Sequence, residues 1–343
     1  MKLEDIVALS VKHNAADLHL CSGHLPLWRR YGVLEPIPQQ KKLSEAELEQ
    51  LAAAWLNAAQ RGQLAAAGYV DFALTTESGT RLRANLFKQR LGLSLALRLI
   101  ASQPPALESL LLPAIVPQLL KQQDGLILIT GATGSGKSTT LAAMIQQLNA
   151  ERDLHILTLE DPIEFIHHSR RCLIQQREVG QHCGSFAQGL KAALREDPDV
   201  ILLGELRDAE TIRLALTAAE TGHLVLATLH TRGAAQAIER LVDLFPAGEK
   251  NLVRTQLAGS LKAVLAQRLA AARSGGRIGL FEVLINTPAV ANLIREGRTY
   301  QLAGLLQTGA QTGMQTFEQS LQQRIRLGLL ANAPEPQGSG AFC

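Results

Sequence analysis

The sequence predicts an α/β protein in which a mainly parallel sheet follows a smaller N-terminal domain. Short apolar runs alternate with helical patterns in the later part of the chain, as in the βαβ units of a parallel sheet. A glycine-rich turn joins the first of these runs to a helix, and a proline-punctuated stretch comes before it. With 343 residues and 46% apolar composition, the chain is long enough to bury two cores.

The proline-punctuated stretch sets the predicted domain boundaries. We expect a first domain over residues 1–102, a linker over 103–118 and a second domain over 119–331. The last residues, 332–343, include a Gly-Ser-Gly run and carry no core-forming pattern, so they are predicted to be disordered.

The first domain is predicted to mix helices and strands. Apolar spacing predicts a helix over 3–13, and a capping-box pattern at Ser44 opens a second helix that runs to about Asn57. Short strands are predicted at 17–20 and 71–75.

Two further strands, 81–87 and 94–100, are predicted to form a hairpin with its turn near Gly92. Their alternation places Arg83 and Arg98 on polar faces, roughly opposite or diagonal to each other. Like charges so placed are destabilising unless an anion lies near them. From these residues alone, two solvated surface arginines are the simpler interpretation, and an anion site is the alternative.

The second domain is predicted to contain parallel strands with helices between them. The strands are expected at 126–130, 156–160, 200–204 and 224–229. The helices are expected at 137–149, 186–196 and 211–221, with further helices at 255–269 and 289–295.

The turn after the strand at 126–130 fits G-x-x-x-x-G-K-[ST], the pattern of a phosphate-binding P-loop. Its glycines allow a tight turn whose N–H groups point at phosphate oxygens. Lys137 is expected to reach the β- and γ-phosphates, and the Ser138 hydroxyl is expected to ligate Mg²⁺. The predicted nucleotide-binding residues are Gly131, Ala132, Thr133, Gly134, Ser135, Gly136, Lys137, Ser138 and Thr139. A chance glycine-rich turn is the alternative, but strand, turn and helix occur in the required order.

Hydrolysis of a triphosphate needs a carboxylate that positions water. The strand at 200–204 leads into Glu205, at the sheet edge where α/β proteins bind ligands. We therefore assign Glu205 to orient the attacking water, with a surface glutamate at a strand end as the alternative.

Polar residues also flank two other predicted strands. Glu160, Asp161 and Glu164 come at the end of one strand, and this cluster suits Mg²⁺ bound through water. We take Asp161 as the metal candidate and Glu160 and Glu164 as catalytic candidates. His230 follows another strand and is expected to sense the γ-phosphate, whereas His223 opens that strand and is a nucleotide-binding candidate. A lone histidine would usually be structural, but three polar strand ends beside one P-loop favour a site.

Composition argues against several other classes of protein. The net charge of +3 and the aromatic content of 4% do not suggest a nucleic-acid groove. The four cysteines are far apart and form no C-x-x-C pair, so neither a disulfide framework nor a zinc site is indicated. No apolar run approaches the length of a membrane span, so we expect a cytoplasmic protein without a transmembrane segment.

Four motifs make the sequence similar to a known family. They are the P-loop, residues 157–165 (LTLEDPIEF), residues 194–208 (LREDPDVILLGELRD) and residues 217–231 (TAAETGHLVLATLHT). The last three resemble the family's aspartate box, Walker B segment and histidine box. Over nearly its whole length the chain resembles the secretion ATPase superfamily of type II secretion and type IV pili. Within that superfamily it is most similar to the pilus retraction, or twitching motility, ATPases.

This resemblance implies a PAS-like N-terminal domain, a RecA-like ATPase domain and a homohexameric ring that binds ATP and Mg²⁺ at its domain junctions. It also reverses the interpretation of Arg83 and Arg98, which fall where family members send arginines to the nucleotide phosphates. A supplied arginine is worth about 10³–10⁵ in rate in other phosphoryl-transfer sites. The implied partner is a platform protein of the inner membrane, with this chain peripheral at its cytoplasmic face and no direct contact with nucleic acid.

Two further features bear on the branch of the family. Assembly and type II secretion ATPases usually have a tetracysteine zinc motif and an extra N-terminal domain, and the sequence shows neither. Retraction ATPases usually carry A-I-R-N-L-I-R-E, and here residues 289–296 read AVANLIRE, with Ala291 at the first arginine. We expect a hexameric motor ATPase that converts ATP hydrolysis into mechanical work at a type IV pilus or related secretion platform. The mechanical work expected is pilus retraction. A ring scaffold with little hydrolysis and a nucleic-acid translocase are the alternatives.

Overall fold

The chain forms two compact units. The structure, a computed structural model, describes residues 3–13, 15, 17–30, 33–76, 79–100 and 104–330. The first unit contains the described residues up to 100 together with the segment Pro162–Ile166, and the second contains those from Pro104 onward except this segment. The tail predicted at 332–343 lies outside the described residues, as does residue 103 of the predicted linker.

A six-stranded antiparallel sheet forms the centre of the first unit. Its strands are β1 (Asp17–Cys21), β2 (Leu27–Arg30), β3 (Val33–Pro36), β4 (Tyr69–Thr75), β5 (Arg81–Gln89) and β6 (Gly92–Ile100). They lie in the order β3-β2-β1-β6-β5-β4, and every neighbouring pair is antiparallel. The helices are α1 (Leu3–Lys12), α2 (Glu45–Trp55) and α3 (Ala58–Ala67). This is the smaller domain of mixed helices and strands that the sequence predicts.

The start of α2 shows why its sequence folds as predicted. The Ser44 hydroxyl accepts a hydrogen bond from the Glu47 N–H at 3.3 Å, and the Ser44 N–H donates to the Glu47 carboxylate at 2.8 Å. The two bonds satisfy donors that a helix N-terminus would otherwise leave unpaired. The predicted capping box is confirmed.

A seven-stranded sheet forms the centre of the second unit. Its strands are β7 (Gly125–Thr130), β8 (His155–Glu160), β9 (Leu173–Glu178), β10 (Val200–Leu203), β11 (Leu224–Leu229), β12 (Leu261–Ala271) and β13 (Arg277–Ile285). Their order is β13-β12-β7-β11-β10-β8-β9, and only the β12–β13 pair is antiparallel among these strands. The carboxyl ends of β7, β11, β10 and β8 therefore meet at one edge of the sheet, where ligands bind in folds of this kind.

Helices cover both faces of this sheet. They are α4 (Val116–Leu119), α5 (Lys137–Glu151), α6 (Phe186–Ala193), α7 (Ala209–Glu220), α8 (Ala234–Asp243), α9 (Lys250–Ser260), α10 (Pro288–Arg295), α11 (Leu302–Thr308) and α12 (Phe317–Arg326). Strand β7 gives Leu126 and Leu128 to one apolar core and Ile127 and Ile129 to the other. Burial on both faces explains its continuous apolar run. In the part of the chain that the structure describes, no helix is long and apolar enough to cross a membrane.

The structure corrects the prediction for residues 255–269. The expected helix ends at Ser260, and β12 begins at Leu261. Leucine, alanine and glutamine favour a helix locally, but residues 263–266 are buried and pair with β7 on one side and β13 on the other. Tertiary context therefore overrides propensity. The same reasoning missed β9 and β13, and the helix predicted at 186–196 ends earlier, at Ala193.

Residues 104–118, expected to belong to a linker, pack on the second unit. They include a 3₁₀ turn at Leu107–Leu110 and most of α4. Leu107 and Val116 are buried in one of the unit's two cores, and the Arg324 guanidinium of α12 donates to the Leu111 carbonyl. Residues 104–118 therefore pack with the second compact unit, because the apolar residues between the prolines have a core to fill.

Candidate active site

The P-loop connects β7 to α5, in the order of strand, turn and helix that the sequence predicts. Gly134 and Gly136 have φ values of 76° and 89°, in the left-handed region that favours glycine. Gly136 is the N-cap of α5, and no side chain caps the helix there. The first N–H groups of α5 can therefore bind a phosphate.

Lys137, the first residue of α5, turns its side chain back into the loop. Its Nζ donates to the Gly131 carbonyl at 2.8 Å and to the Ala132 carbonyl at 3.1 Å. The residue is only 8% exposed. The ammonium group is thus held inside the loop by two backbone carbonyls, close to the start of α5.

Two residues from neighbouring strand ends connect to Lys137. His230 follows β11, and its Nδ1 lies 3.4 Å from Lys137 Nζ. The other ring nitrogen, Nε2, lies 3.1 Å from Oε1 of Glu205, which follows β10. Lys137, His230 and Glu205 therefore form one continuous chain of polar contacts along the sheet edge.

Arg207 completes this group and was not among the predicted site residues. Its Nε donates to Glu205 Oε2 at 2.6 Å, and its Nη1 lies 3.4 Å from Asp161 Oδ2. The hydrogen bond to Glu205 is the main reason why the pKa of Arg207 is raised, and nearby Asp161 adds to it. Both oxygens of Glu205 are therefore engaged. The signal in the sequence was an arginine two residues after a strand-end carboxylate.

The three carboxylates predicted near β8 have different surroundings. Asp161 joins the polar group through Arg207. Glu160 instead accepts hydrogen bonds from Thr158 Oγ1 at 2.7 Å and from Gln176 Nε2 of β9 at 3.1 Å. Glu164 lies in the Pro162–Ile166 segment, which belongs to the first unit. Only Asp161 of the three is brought to Glu205 within the second unit.

The residues of this edge fit a magnesium ion that keeps much of its hydration. Ser138, in the first turn of α5, offers a hydroxyl, and Asp161 offers an exposed carboxylate. Mg²⁺ takes oxygen ligands and usually few protein groups when it accompanies a nucleotide. Across the described ranges, no group of three or more His, Cys, Asp or Glu side chains could hold a metal by itself. The donor set suits an ion that is bound mainly by phosphates and water.

Arg83 and Arg98 belong to the first unit and are directly opposite each other in the β5–β6 hairpin. The predicted register is confirmed. Arg98 Nε donates to Asp17 Oδ1 at 2.8 Å, and Asp17 is its partner in β1. Arg83 is exposed and has no ion-pair partner among the residues whose structure is described. Asp17 therefore offsets part of the repulsion between the two arginines.

His223 lies at the amino-terminal ends of the parallel strands, whereas the P-loop lies at their carboxyl ends. It precedes β11, whereas His230 follows it, and a strand of six residues spans about 20 Å at roughly 3.3 Å per residue. The His223 carbonyl accepts from Gly125 N–H at 3.1 Å, and its Nδ1 lies 3.0 Å from the Ala218 carbonyl. The structure therefore does not bring His223 to the P-loop of the same chain.

The sheet order, the P-loop and the polar strand ends define a nucleoside triphosphatase unit of the RecA-like class. The chain belongs to the type II/IV secretion system protein family, whose sequence model matches residues 68–332. This finding confirms the family that the four motifs predict.

Individual relatives match over nearly the whole chain. The chain is 62% identical over 330 residues to the uncharacterized protein YggR of Escherichia coli, covering 96% of this chain and 100% of that protein. It is 44% identical over 331 residues to the type IV pilus retraction ATPase PilT of Pseudomonas aeruginosa, covering 96% of each. A crystal structure of the pilus retraction motor PilT with bound ADP matches with a TM-score of 0.89 at 40% identity, covering 98% of both chains.

Proposed function

We propose that the chain is a motor ATPase that hydrolyses ATP and drives the retraction of a type IV pilus or a related filament. The observation that carries this proposal is the polar chain from Lys137 through His230 to Glu205 beside the P-loop. It combines a cation for the phosphates with a carboxylate that can orient water. Similarity to retraction ATPases along nearly the full length supports the mechanical role.

Binding would exchange hydrogen bonds of the P-loop for hydrogen bonds to phosphate. Lys137 Nζ would give up the carbonyls of Gly131 and Ala132 for β- and γ-phosphate oxygens, which are stronger acceptors because they carry charge. The N–H groups at the start of α5 would bind the same phosphates. His230 contacts both Lys137 and Glu205, so it would respond to a γ-phosphate.

Hydrolysis would use Glu205 to position water. An oxygen of the Glu205 carboxylate would accept a hydrogen bond from a water that attacks the γ-phosphorus, and the bond between the γ-phosphorus and the bridging oxygen would break to give ADP and phosphate. Bound Mg²⁺ would neutralise charge on the β- and γ-oxygens, with Ser138 and, through water, Asp161 as its protein ligands. Glu160 and Glu164 remain candidates for assisting these groups.

The proposal extends to assembly and location. We infer a homohexamer in which Arg83 and Arg98 reach nucleotide phosphates, and of the two Arg83 is the stronger candidate because Arg98 is paired with Asp17. The ring would act on a pilus or secretion platform protein at the cytoplasmic face of the inner membrane. Family similarity supports this arrangement.

Phosphate release from ATP and Mg²⁺ tests the enzymatic part of the proposal. We expect Lys137→Ala to lose both nucleotide binding and hydrolysis, because the loop loses its cation. Glu205→Ala should still bind ATP but hydrolyse it at least about 100-fold more slowly, the range typical of losing a group that positions the reactants. Glu210→Ala is a matched control, since Glu210 is exposed in the first turn of the neighbouring helix α7.

Two outcomes would contradict this assignment. Turnover of Glu205→Ala like that of the natural chain would remove Glu205 from the role of water-positioning residue. ATP-dependent ring formation with negligible hydrolysis by the natural chain would favour a nucleotide-dependent scaffold instead. Circular dichroism spectra of all three variants show whether each remains folded.

A further inference from the structure

A residue outside the four motifs lies directly against the P-loop. Strand β12 runs parallel to β7, with Ala266 paired to Thr130, the last residue of β7. The next residue of β12, Gln267, therefore reaches the level of Gly131, where the P-loop begins. Gln267 is only 4% exposed, which is unusual for a glutamine and calls for a partner for its amide.

Gln267 occupies the space beside two P-loop glycines. A Cβ atom on Gly131 would lie 2.5 Å from the Gln267 carbonyl oxygen, and one on Gly136 would lie 2.9 Å from Gln267 Nε2. Real Cβ atoms do not approach other atoms so closely. The first and last glycines of the loop thus lie against the backbone and the side chain of one residue, and the loop rests on β12.

The Gln267 side chain is also bonded to the helix that follows the loop. Thr140 Oγ1 donates to Gln267 Oε1 at 2.8 Å, and Thr140 is 1% exposed in the first turn of α5. Leaving a buried polar group without its partner costs free energy, so this pair resists displacement. Gln267 therefore contacts the P-loop at both ends and the helix start beyond it.

We propose that Gln267 is a positioning residue that holds the P-loop and the first turn of α5 in the conformation that binds phosphate. This inference rests on the proposed nucleotide-binding function of the same loop. Phosphate binding depends on several backbone N–H groups pointing at one place, and a small shift of the loop weakens all of these bonds together. A neutral amide also suits this position, because a carboxylate there would repel the phosphates.

Titration of the purified full-length chain with a fluorescent ADP analogue tests the proposal. We expect Gln267→Leu, which keeps the side-chain volume but removes the hydrogen bond, to raise Kd about tenfold, the size expected for a buried hydrogen bond. Gln267→Glu should raise Kd further because it adds negative charge. In steady-state hydrolysis, Gln267→Leu should raise KM for ATP while kcat stays within about threefold, since the water-positioning group is intact.

Thr140→Val provides a second approach from the other side of the hydrogen bond. It should also raise Kd. The double variant of Thr140→Val and Gln267→Leu should have about the same Kd as the single variant that binds ADP less tightly, because both substitutions remove the same hydrogen bond. Gln256→Leu is the control. The Gln256 amide on α9 donates an exposed hydrogen bond to Glu220 on α7, away from the P-loop. This control should bind ADP like the natural chain.

The outcomes separate this proposal from the function on which it rests. If the natural chain binds neither ADP nor ATP, the proposed function fails. If the natural chain binds and folded Gln267→Leu and Gln267→Glu bind equally well, the positioning role is overturned. Should the Gln267 variants not fold, Thr140→Val decides alone, and an unchanged Kd for it overturns the proposal.

Discussion

Glu205 is held on both of its oxygens at the centre of the candidate active site. His230 Nε2 lies 3.1 Å from one oxygen, and Arg207 Nε donates to the other at 2.6 Å. The hydrogen bond from the Arg207 guanidinium is charge-assisted, and such a bond fixes the direction of a carboxylate. The position of Glu205 therefore depends on side chains from two neighbouring strand ends, and its role in orienting water should be sensitive to both.

Arg207→Gln should slow hydrolysis without preventing nucleotide binding. Glutamine is shorter and uncharged, so Glu205 loses one of its two fixed partners and its link to Asp161. We expect kcat to fall by about 10-fold to 100-fold, in line with the cost of misplacing a catalytic group, while Kd for ADP changes little. Steady-state kinetics and ADP titration measure the two quantities, and Arg207→Lys should recover part of kcat. An unchanged kcat would show that Arg207 does not position Glu205.

Much of the candidate site could be predicted from the sequence because its residues follow local patterns. The P-loop has a fixed spacing, and Glu205, His230 and Asp161 come directly after apolar strands whose ends meet in a parallel sheet. Gln267 could not be found in this way, because it lies inside a strand that was predicted to be helical. His223 is predicted to bind nucleotide because it belongs to the same motif as His230. It precedes β11, however, and so lies at the strand ends opposite the P-loop.

At the scale of elements, helix α7 begins directly after the Glu205 loop and is fixed by its first cap. Asp208 is the N-cap residue, and its carboxylate accepts from the Thr211 N–H and the Thr211 hydroxyl, both at 2.8 Å. Its neighbour Arg207 contacts Glu205, so adjacent residues of one motif have separate tasks. Arg207 contacts Glu205 in the candidate active site, and Asp208 caps the start of helix α7, which packs on the sheet.

Asp208→Ala should reduce stability more than catalysis. Loss of an N-cap costs about 1 kcal/mol, which corresponds to about 2–4 °C in melting temperature for a unit of this size. We expect this fall in thermal melting of the purified chain, with kcat at a permissive temperature within about threefold. Asp208→Asn should restore the melting temperature because asparagine caps equally well. A melting temperature unchanged in Asp208→Ala would contradict the assigned cap.

The elements also show where sequence patterns stop being informative. Strands β7, β8, β10 and β11 are short apolar runs buried by helices on both faces, so their composition identifies them. Strand β9 lies at the sheet edge with the pattern Leu-Ile-Gln-Gln-Arg-Glu, which is polar because fewer of its residues are buried. Strand β12 consists of residues that favour helices, and only its pairing with β7 and β13 makes it a strand.

At the scale of the whole molecule, the proposed motor needs both units. The second unit holds the P-loop, Lys137 and Glu205, and the first holds the opposed arginines of the β5–β6 hairpin. Arg83 has a like charge opposite it and no acidic partner within the described part of the first unit, which is the electrostatic setting expected of a group that binds an anion. Ala291, which stands where retraction ATPases usually have an arginine, lies in α10. It is 8% exposed and packs in the core of the second unit. Tests of the proposed motor use a chain that contains both units.

The amount of pilus on the cell surface shows directly whether this chain drives retraction. The gene is deleted in its host, and the deletion strain is complemented with the natural chain or with Glu205→Ala at equal protein level. Retraction driven by ATP hydrolysis predicts more surface pili after deletion, a return to the original amount with the natural chain, and no return with Glu205→Ala. Loss of pili on deletion, or full restoration by Glu205→Ala, would contradict a retraction motor powered at this site.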